Sequence, residues 1–357
     1  MSSSSHSPQT GTRQAHLRAQ LLDDHLPADV SAVVAAVAGI QAQDITAAAM
    51  TIRPRCPSLA LSELGAAIWE DRTLVLTWSM RGTRHLHPAT DLRWLMAVFG
   101  PVFGRPGRRA EQLGIAGETG DRAVAVLRRA LAAEGMLTRP QVKERLATVG
   151  VDVSGQAPVH VLRRAGLEGV LCVLPDPHGQ ERYVLLDDWV PASEVPDRDE
   201  ALGRLASRFL DAFAPATLRD FATWSGLPAA DAKRGWTAVD AHAGQALPPV
   251  PGRCPVRLTG GFDTLLLGYA DRSLHVPPTY ARRVNTGGGL VKPVVLDDGL
   301  VVATWRYVRG RTDTVEVMPF QALSRRALDG IEREVGDIGV FLGREPHLEL
   351  AEPAAPS

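Results

Sequence analysis

Apolar residues recur along this chain with two different periods. Positions three and four apart share one face of a helix, whereas strict alternation marks a strand with one buried face. Residues 14–40 follow the helical period, broken at Pro27 and Asp29. Asp29 can cap the run 30–38, and Gly39 ends it. Asp44 is placed to cap a further helix, 45–52, which Pro54 stops. Residues 59–69 are helical behind Ser58. Residues 72–80 are rich in β-branched residues and predict a strand, Arg81-Gly82-Thr83 a turn, and 84–87 a returning strand. Helices followed by a strand, a basic glycine turn and a strand are the order of a winged helix, and Asp91 starts the next helix.

The order then repeats. Residues 121–135 form an amphipathic helix, and Thr138 caps another with Pro140 in its first turn. A third helix, 159–167, carries Arg163 and Arg164. Strand 170–174, turn 176–180 and strand 182–186 follow. Residues 200–239 repeat the helical part: Thr217 caps a helix through Thr223, Ala222 and Gly226 have helix-turn-helix spacing, and 227–239 is the next helix. The Pro/Gly-rich segment 248–255 reads as a linker. Beyond it, β-rich runs at 264–269, 290–296, 300–308 and 314–317 alternate with glycine turns, and a helix at 324–334 follows. The predicted fold is α+β, with three tandem winged-helix modules (13–115, 116–195 and 196–250) and then a small C-terminal β-barrel with a helix (251–345). Disordered tails are expected at 1–12 and 346–357.

Composition changes this picture little but excludes several classes. Hydrophobic residues make up 45% of the 357 and charged residues 22%, ordinary globular values. The longest apolar runs fall short of the roughly 20 residues a membrane span needs, and the Ser-rich start has no apolar core, so no membrane or secretory role is expected. Cys56, Cys172 and Cys254 lie far apart, in neither zinc nor redox spacing, which fits a reducing cytoplasm. His85 and His87 have strand spacing without an evident third ligand, so no metal and no cofactor are expected. Gly287-Gly288-Gly289 lacks the Lys-Ser/Thr of a phosphate loop. Aromatic residues are only 5%, which disfavours a single-strand binder that stacks bases. The net charge is -1, yet a protein can hold nucleic acid on a local basic surface. Nearly all the positive charge is arginine, since Lys143, Lys233 and Lys292 are the only lysines. Few amines are therefore available for Schiff-base chemistry. The expected DNA contacts are Arg81, Thr83 and Arg84 on the first wing, Arg163 and Arg164 on a recognition helix, and Arg272, His275, Arg282 and Arg283 beside turns of the C-terminal part.

Between the helices capped by Asp29 and Asp44 lies Gln41-Ala42-Gln43. Residues two apart point the same way when the chain is extended and diverge by roughly 200° on a helix. From the residues alone, the pair is either a polar turn or two amides facing one pocket, each able to donate and accept at once. Asp44 is either the helix cap or an electrostatic support for a reaction beside it.

The run 39–44, then 71–75 through 80–83, 160–165, 183–186, 216–221, 266–272 and 341–343 together resemble the AlkZ-type winged-helix DNA glycosylases, in order, over about residues 13–345. The resemblance implies three winged helices and a β-barrel around a DNA channel. It implies a monofunctional glycosylase that excises N7-alkylated purines, with Gln41 and Gln43 at the positions of the family's catalytic Gln-aliphatic-Gln. Gln43, where another branch has Asp, looks like the branch that protects antibiotic producers from their own alkylating product. Two departures stand out: Thr264 where relatives usually carry an acid, and 285–289 in place of a Pro-Gly-Asn-Gly region. Both are expected to reshape the channel. The expected function is therefore hydrolysis of the glycosidic bond of bulky N7-alkylguanine in duplex DNA by a cytoplasmic monomer. A winged-helix transcription regulator without catalysis is the alternative, and a drug-sequestering scaffold a third reading.

Overall fold

Most of the helix caps anticipated from the sequence are made by the side chains expected of them. Asp29 accepts from Ala32 N at 2.8 Å at the head of helix Val30–Ala36. Thr138 and Gln141 form a reciprocal capping box on Arg139–Ala147. Thr217 and Asp220 form a second such box on Leu218–Ser225, with Thr217 Oγ1 accepting from Asp220 N and Asp220 Oδ2 from Thr217 N. Each cap of this kind contributes about 1 kcal/mol.

The computed structural model describes residues 8–24, 29–57, 59–175, 180–239 and 252–353. Ser58, Pro27, most of the turn after 175 and the first part of the 248–255 linker lie outside them. The strands among the described residues are β1 (Ile40–Gln41), β2 (Leu74–Trp78), β3 (Arg84–Pro88), β4 (Met136–Thr138), β5 (Leu171–Pro175), β6 (Glu181–Leu185), β7 (Arg257–Thr259), β8 (Val294–Asp297), β9 (Leu300–Val308), β10 (Thr314–Pro319) and β11 (His347–Leu350). The chain forms two compact units, each discontinuous in sequence: 1–64 with 206–224 and 239–357, and 65–205 with 225–238. The blocks read from the sequence are consecutive, so the two units cut across them.

In the 65–205 unit five strands follow the order β3-β2-β5-β6-β4 with antiparallel neighbours. The two hairpins expected of wings, β2–β3 and β5–β6, are both present, and they meet where Leu76 opposes Val173. Helix Ala157–Leu167 lies directly on β2: a Cβ on Gly166 would come within 2.6 Å of the Trp78 ring. The segment 196–239 holds helices Arg198–Phe213, Leu218–Ser225 and Ala229–Thr237 and no strand among its described residues.

In the other unit β11-β10-β9-β8-β7 form an open sheet, antiparallel except for the parallel pair β10–β11. Helix Arg325–Leu342 packs on it so closely that a Cβ on Gly330 would meet Val256 at 2.5 Å. The expected barrel is corrected here. β7 and β11 are opposite edges, and no closed barrel exists among the described residues. One reason is local. The run 264–269, read as a strand, begins with helix Thr264–Leu267, because Asp263 accepts from Leu265 N and caps it. Capping by Asp263 and the three leucines, good helix formers, outweigh the strand reading at this point. The expected tails are shortened as well, since helix Pro8–Ala19 starts within the first and β11 lies within the second. No helix among the described residues is long and apolar enough to cross a membrane.

Candidate active site

The Gln-Ala-Gln segment is fixed at both ends. Helix Val30–Ala36 closes in a Schellman motif, with Gly39 N donating to Val34 O at 2.9 Å and Ala38 N to Ala35 O at 3.1 Å. The left-handed residue is Ala38, at φ 58°, and Gly39 follows at φ 96°. The chain then extends as β1, and Asp44 begins helix Ile45–Ile52 by accepting from Thr46 N at 2.7 Å and Ala47 N at 3.2 Å. Ile40 and Ala42 are wholly buried and anchor the backbone between these two stops. Gln41 is 8% exposed, whereas Gln43 and Asp44 are exposed. The two glutamines thus share one junction with unequal access to solvent. Of the two readings of Asp44, the cap is the one its carboxylate fulfils.

The helix that follows is held by two buried arginines that sequence reasoning missed. Arg55 makes a bidentate pair with Asp263 at 2.8 and 2.9 Å. Its remaining donors reach Thr51 O, Gln20 O and Thr264 Oγ1. All five guanidinium N–H groups are therefore used. Arg53 reaches Glu334 at 2.6 Å, Leu258 O at 2.7 Å and Asp337. Gly260 lies against the same helix, where a Cβ would meet Ala47 O at 2.3 Å. Removing one partner of such a buried pair costs roughly 3–5 kcal/mol, because the other charge is left uncompensated. The one signal in the sequence was Arg53-Pro54-Arg55 just past the helix, which reads equally well as a basic surface turn.

Thr264 is buried, accepts from Arg55 and donates to Gln20 Oε1 at 2.6 Å, so it braces the interior. The 285–289 loop is exposed, with Gly287, Gly288 and Gly289 at φ 95°, 60° and 80°.

The expected DNA contacts separate into several kinds. In the β2–β3 turn Arg81 is left-handed at φ 55°, and its side chain lies against Gly226. Thr83 Oγ1 donates within the turn, to Met80 O. Arg163 Nε donates to Gly82 O at 3.1 Å, so it braces this turn from beneath, and burial pushes its pKa down. Arg84 is paired with Glu181, and Arg164 with both Asp121 and Glu168, so carboxylates already offset their charge. Arg282 is exposed. Arg283 lies over the rings of Tyr280 and Phe320. Arg272 is half-buried, and burial pushes its pKa down. The Asn285 amide, turned so that both its atoms are satisfied, accepts from Arg272 Nη1 at 2.6 Å. His275 is a correction. It is 1% exposed and bonded on both ring nitrogens inside the molecule, so it offers no surface to DNA. His85 and His87 are buried too, with Thr83 O and Ser79 Oγ as their partners. Burial holds His87 down at about 4 and pushes His85 well below its usual value.

A helix-rich α+β chain with two antiparallel hairpins and a Gln-Ala-Gln junction fixed at both ends matches a known family. Residues 34–341 fit the family described as DNA glycosylase AlkZ-like. That stretch is well over half of the chain, and the protein belongs to this family of DNA glycosylases. A curated relative, an interstrand DNA cross-link repair glycosylase of Streptomyces sahachiroi, is 28% identical over 368 aligned residues, covering 90% of this chain and 93% of that one. Among solved structures, the Streptomyces sahachiroi DNA glycosylase AlkZ is similar with a TM-score of 0.77 and 23% identity, over 97% of this chain and all of that one, which is a likeness of fold.

Proposed function

We propose that this glycosylase hydrolyses the N-glycosidic bond of bulky N7-alkylated guanine in duplex DNA, with Gln41 and Gln43 as its catalytic residues. Alkylation at N7 makes the base cationic, so it departs as a neutral group without a strong general acid. The sugar gains oxocarbenium character as the bond lengthens. What remains for the protein is to place a water against C1′ and to stabilise the developing charge. An amide does both, accepting from the water while its dipole faces the sugar. Gln41, nearly buried between two wholly buried neighbours, is the fixed member of the pair. Gln43, exposed, is the member DNA reaches first. The observation that carries the reading is this rigid junction, lying inside the stretch that the glycosylase family matches. The scarcity of lysine favours a monofunctional enzyme that leaves an abasic site. Its setting is the cytoplasm of a cell that makes or meets a DNA-alkylating antibiotic, where it works as a monomer and confers self-resistance.

The test is base release from duplexes carrying one defined bulky N7-alkylguanine, with a duplex holding an interstrand cross-link as second substrate. Wild type releases the modified base and leaves an alkali-labile site. Gln41→Ala and Gln43→Ala each slow release at least tenfold, about 1.4 kcal/mol of barrier. Sequence-selective binding without release across several adducts would instead establish the regulator.

A further inference from the structure

Two histidines far apart in sequence meet in the interior of the unit that holds the glutamine junction. His16, on helix Pro8–Ala19, is 4% exposed, and His275 is 1% exposed. Each ring uses both nitrogens. His16 Nε2 lies 2.9 Å from Pro215 O, His275 Nδ1 lies 2.9 Å from Gly299 O, and the inner nitrogens, His16 Nδ1 and His275 Nε2, are 3.0 Å apart. A carbonyl oxygen only accepts, so both outer nitrogens must carry protons. A neutral imidazole has one proton, and two neutral rings arranged this way would point bare lone pairs at each other across 3.0 Å. A third proton between the inner nitrogens satisfies all three contacts at once.

We propose that His16 and His275 form a buried imidazole–imidazolium pair that shares one proton and carries one positive charge at neutral pH. The surroundings suit a cation. Tyr269 stacks on His16 with centroids 4.1 Å apart and planes 15° from parallel, giving the charge a π face. Its hydroxyl is turned away to Phe213 O. Burial pushes the His16 pKa down, while the bond to Pro215 O and the charge of Asp220 on helix Leu218–Ser225 act the other way, toward the protonated ring. Asp220 is held in place by Thr217 and by Ala270 N, whose bond to it is 2.9 Å long. Asp298 stands next to Gly299 and is engaged by Cys254 N and Arg253. Burial first, then the charges on His16 and on Arg13, one turn from His16, pull His275 down toward about 3, against the bond to Gly299 O. The three hydrogen bonds that the shared proton completes act against that pull.

The pair ties together helix Pro8–Ala19, Pro215, the segment at 275 and the β8–β9 turn. A folded pair that keeps its third proton has a pKa above the 6.5 of an unfolded histidine. Its stabilisation is therefore complete below about pH 6.5 and is lost as pH rises through the folded value. Loss of the proton leaves the inner nitrogens repelling, so the N-terminal helix loosens on the alkaline side.

Nitrogen NMR of the full chain labelled at histidine tests this directly, with couplings inside each ring assigning the signals. The expected result at pH 7 is three protonated nitrogens among the four, with scalar coupling across the inner pair. One protonated nitrogen on each ring would overturn the proposal. A second measurement is the unfolding midpoint of wild type against His16→Gln from pH 6 to 9. The gap between them narrows as pH rises; a gap that widens would sink the shared proton even where the spectra are crowded. Neither result depends on glycosylase activity.

Discussion

Asp44 shows how one side chain can be read as catalyst or as scaffold, and how the two are separated. Its Oδ1 takes two amide hydrogens at the head of helix Ile45–Ile52, one residue beyond Gln43. A cap needs an acceptor oxygen and no charge, so Asn serves nearly as well as Asp, whereas Ala leaves two amides without it. Asp44→Ala should therefore cost about 1 kcal/mol in urea unfolding, and Asp44→Asn only a few tenths. Base release by Asp44→Asn should stay within about twofold of wild type. A large loss of release in a stably folded Asp44→Asn would move the carboxylate from scaffold to reaction. Ala38 is the neighbouring lesson. The sequence signal for ending helix Val30–Ala36 was Gly39, and positive φ extends over both Ala38 and Gly39, with Ala38 at the left-handed position of the Schellman motif. Glycine marks the neighbourhood of a helix end more reliably than the residue that adopts its geometry.

At the scale of elements, the β2–β3 hairpin carries its own pH dependence. His85 and His87 sit on one strand with their rings stacked 5.7 Å apart, both buried and both held neutral by burial first. An unfolded histidine takes up its proton near pH 6.5, while His87 in the hairpin does so near 4. Between those values the unfolded chain binds more protons, so stability falls as pH is lowered through 6.5. For His87 the full loss is on the order of 3 kcal/mol, approached as pH nears 4. Urea unfolding at pH 7.5 and 5.0 should show the drop, and His87→Gln should shrink it; an equal drop in both would place the acid sensitivity elsewhere. The hairpin itself was legible in the sequence, because a β-branched run, a basic glycine turn and a returning strand constrain one another over few residues. So were the caps at Asp29, Asp44, Thr138 and Thr217, whose partners lie within three residues. The buried Arg53 and Arg55 were not, since their partners Asp263 and Glu334 are more than two hundred residues away. Nor was the burial of His275, which depends on His16. The candidate glutamines were legible as residues, but the unequal exposure of Gln41 and Gln43 was not.

For the whole molecule the question is how a chain of net charge -1 holds a polyanion. The count of 39 basic residues against 40 acidic ones hides the answer, because much of the arginine is already paired with the protein's own carboxylates. Arg53, Arg55, Arg84, Arg164, Arg198 and Arg234 all stand within ion-pair distance of carboxylates. Each such pair removes an acid as well as a base from the field DNA meets. An exposed arginine outside them keeps its full effect on a phosphate. Binding to an undamaged duplex should therefore be steep in salt despite the net charge, with log K falling by about 0.9 per log unit of salt for every phosphate neutralised. Arg282→Ala, at an exposed position, should lower that slope by about 1 and weaken all sequences alike. Arg164→Ala should leave it unchanged, because Asp121 and Glu168 already hold that guanidinium. Titrations from 50 to 300 mM salt separate the two. Equal slopes for wild type and Arg282→Ala would remove that residue from the interface, and a flat dependence for wild type would mean that DNA is held by something other than its phosphates.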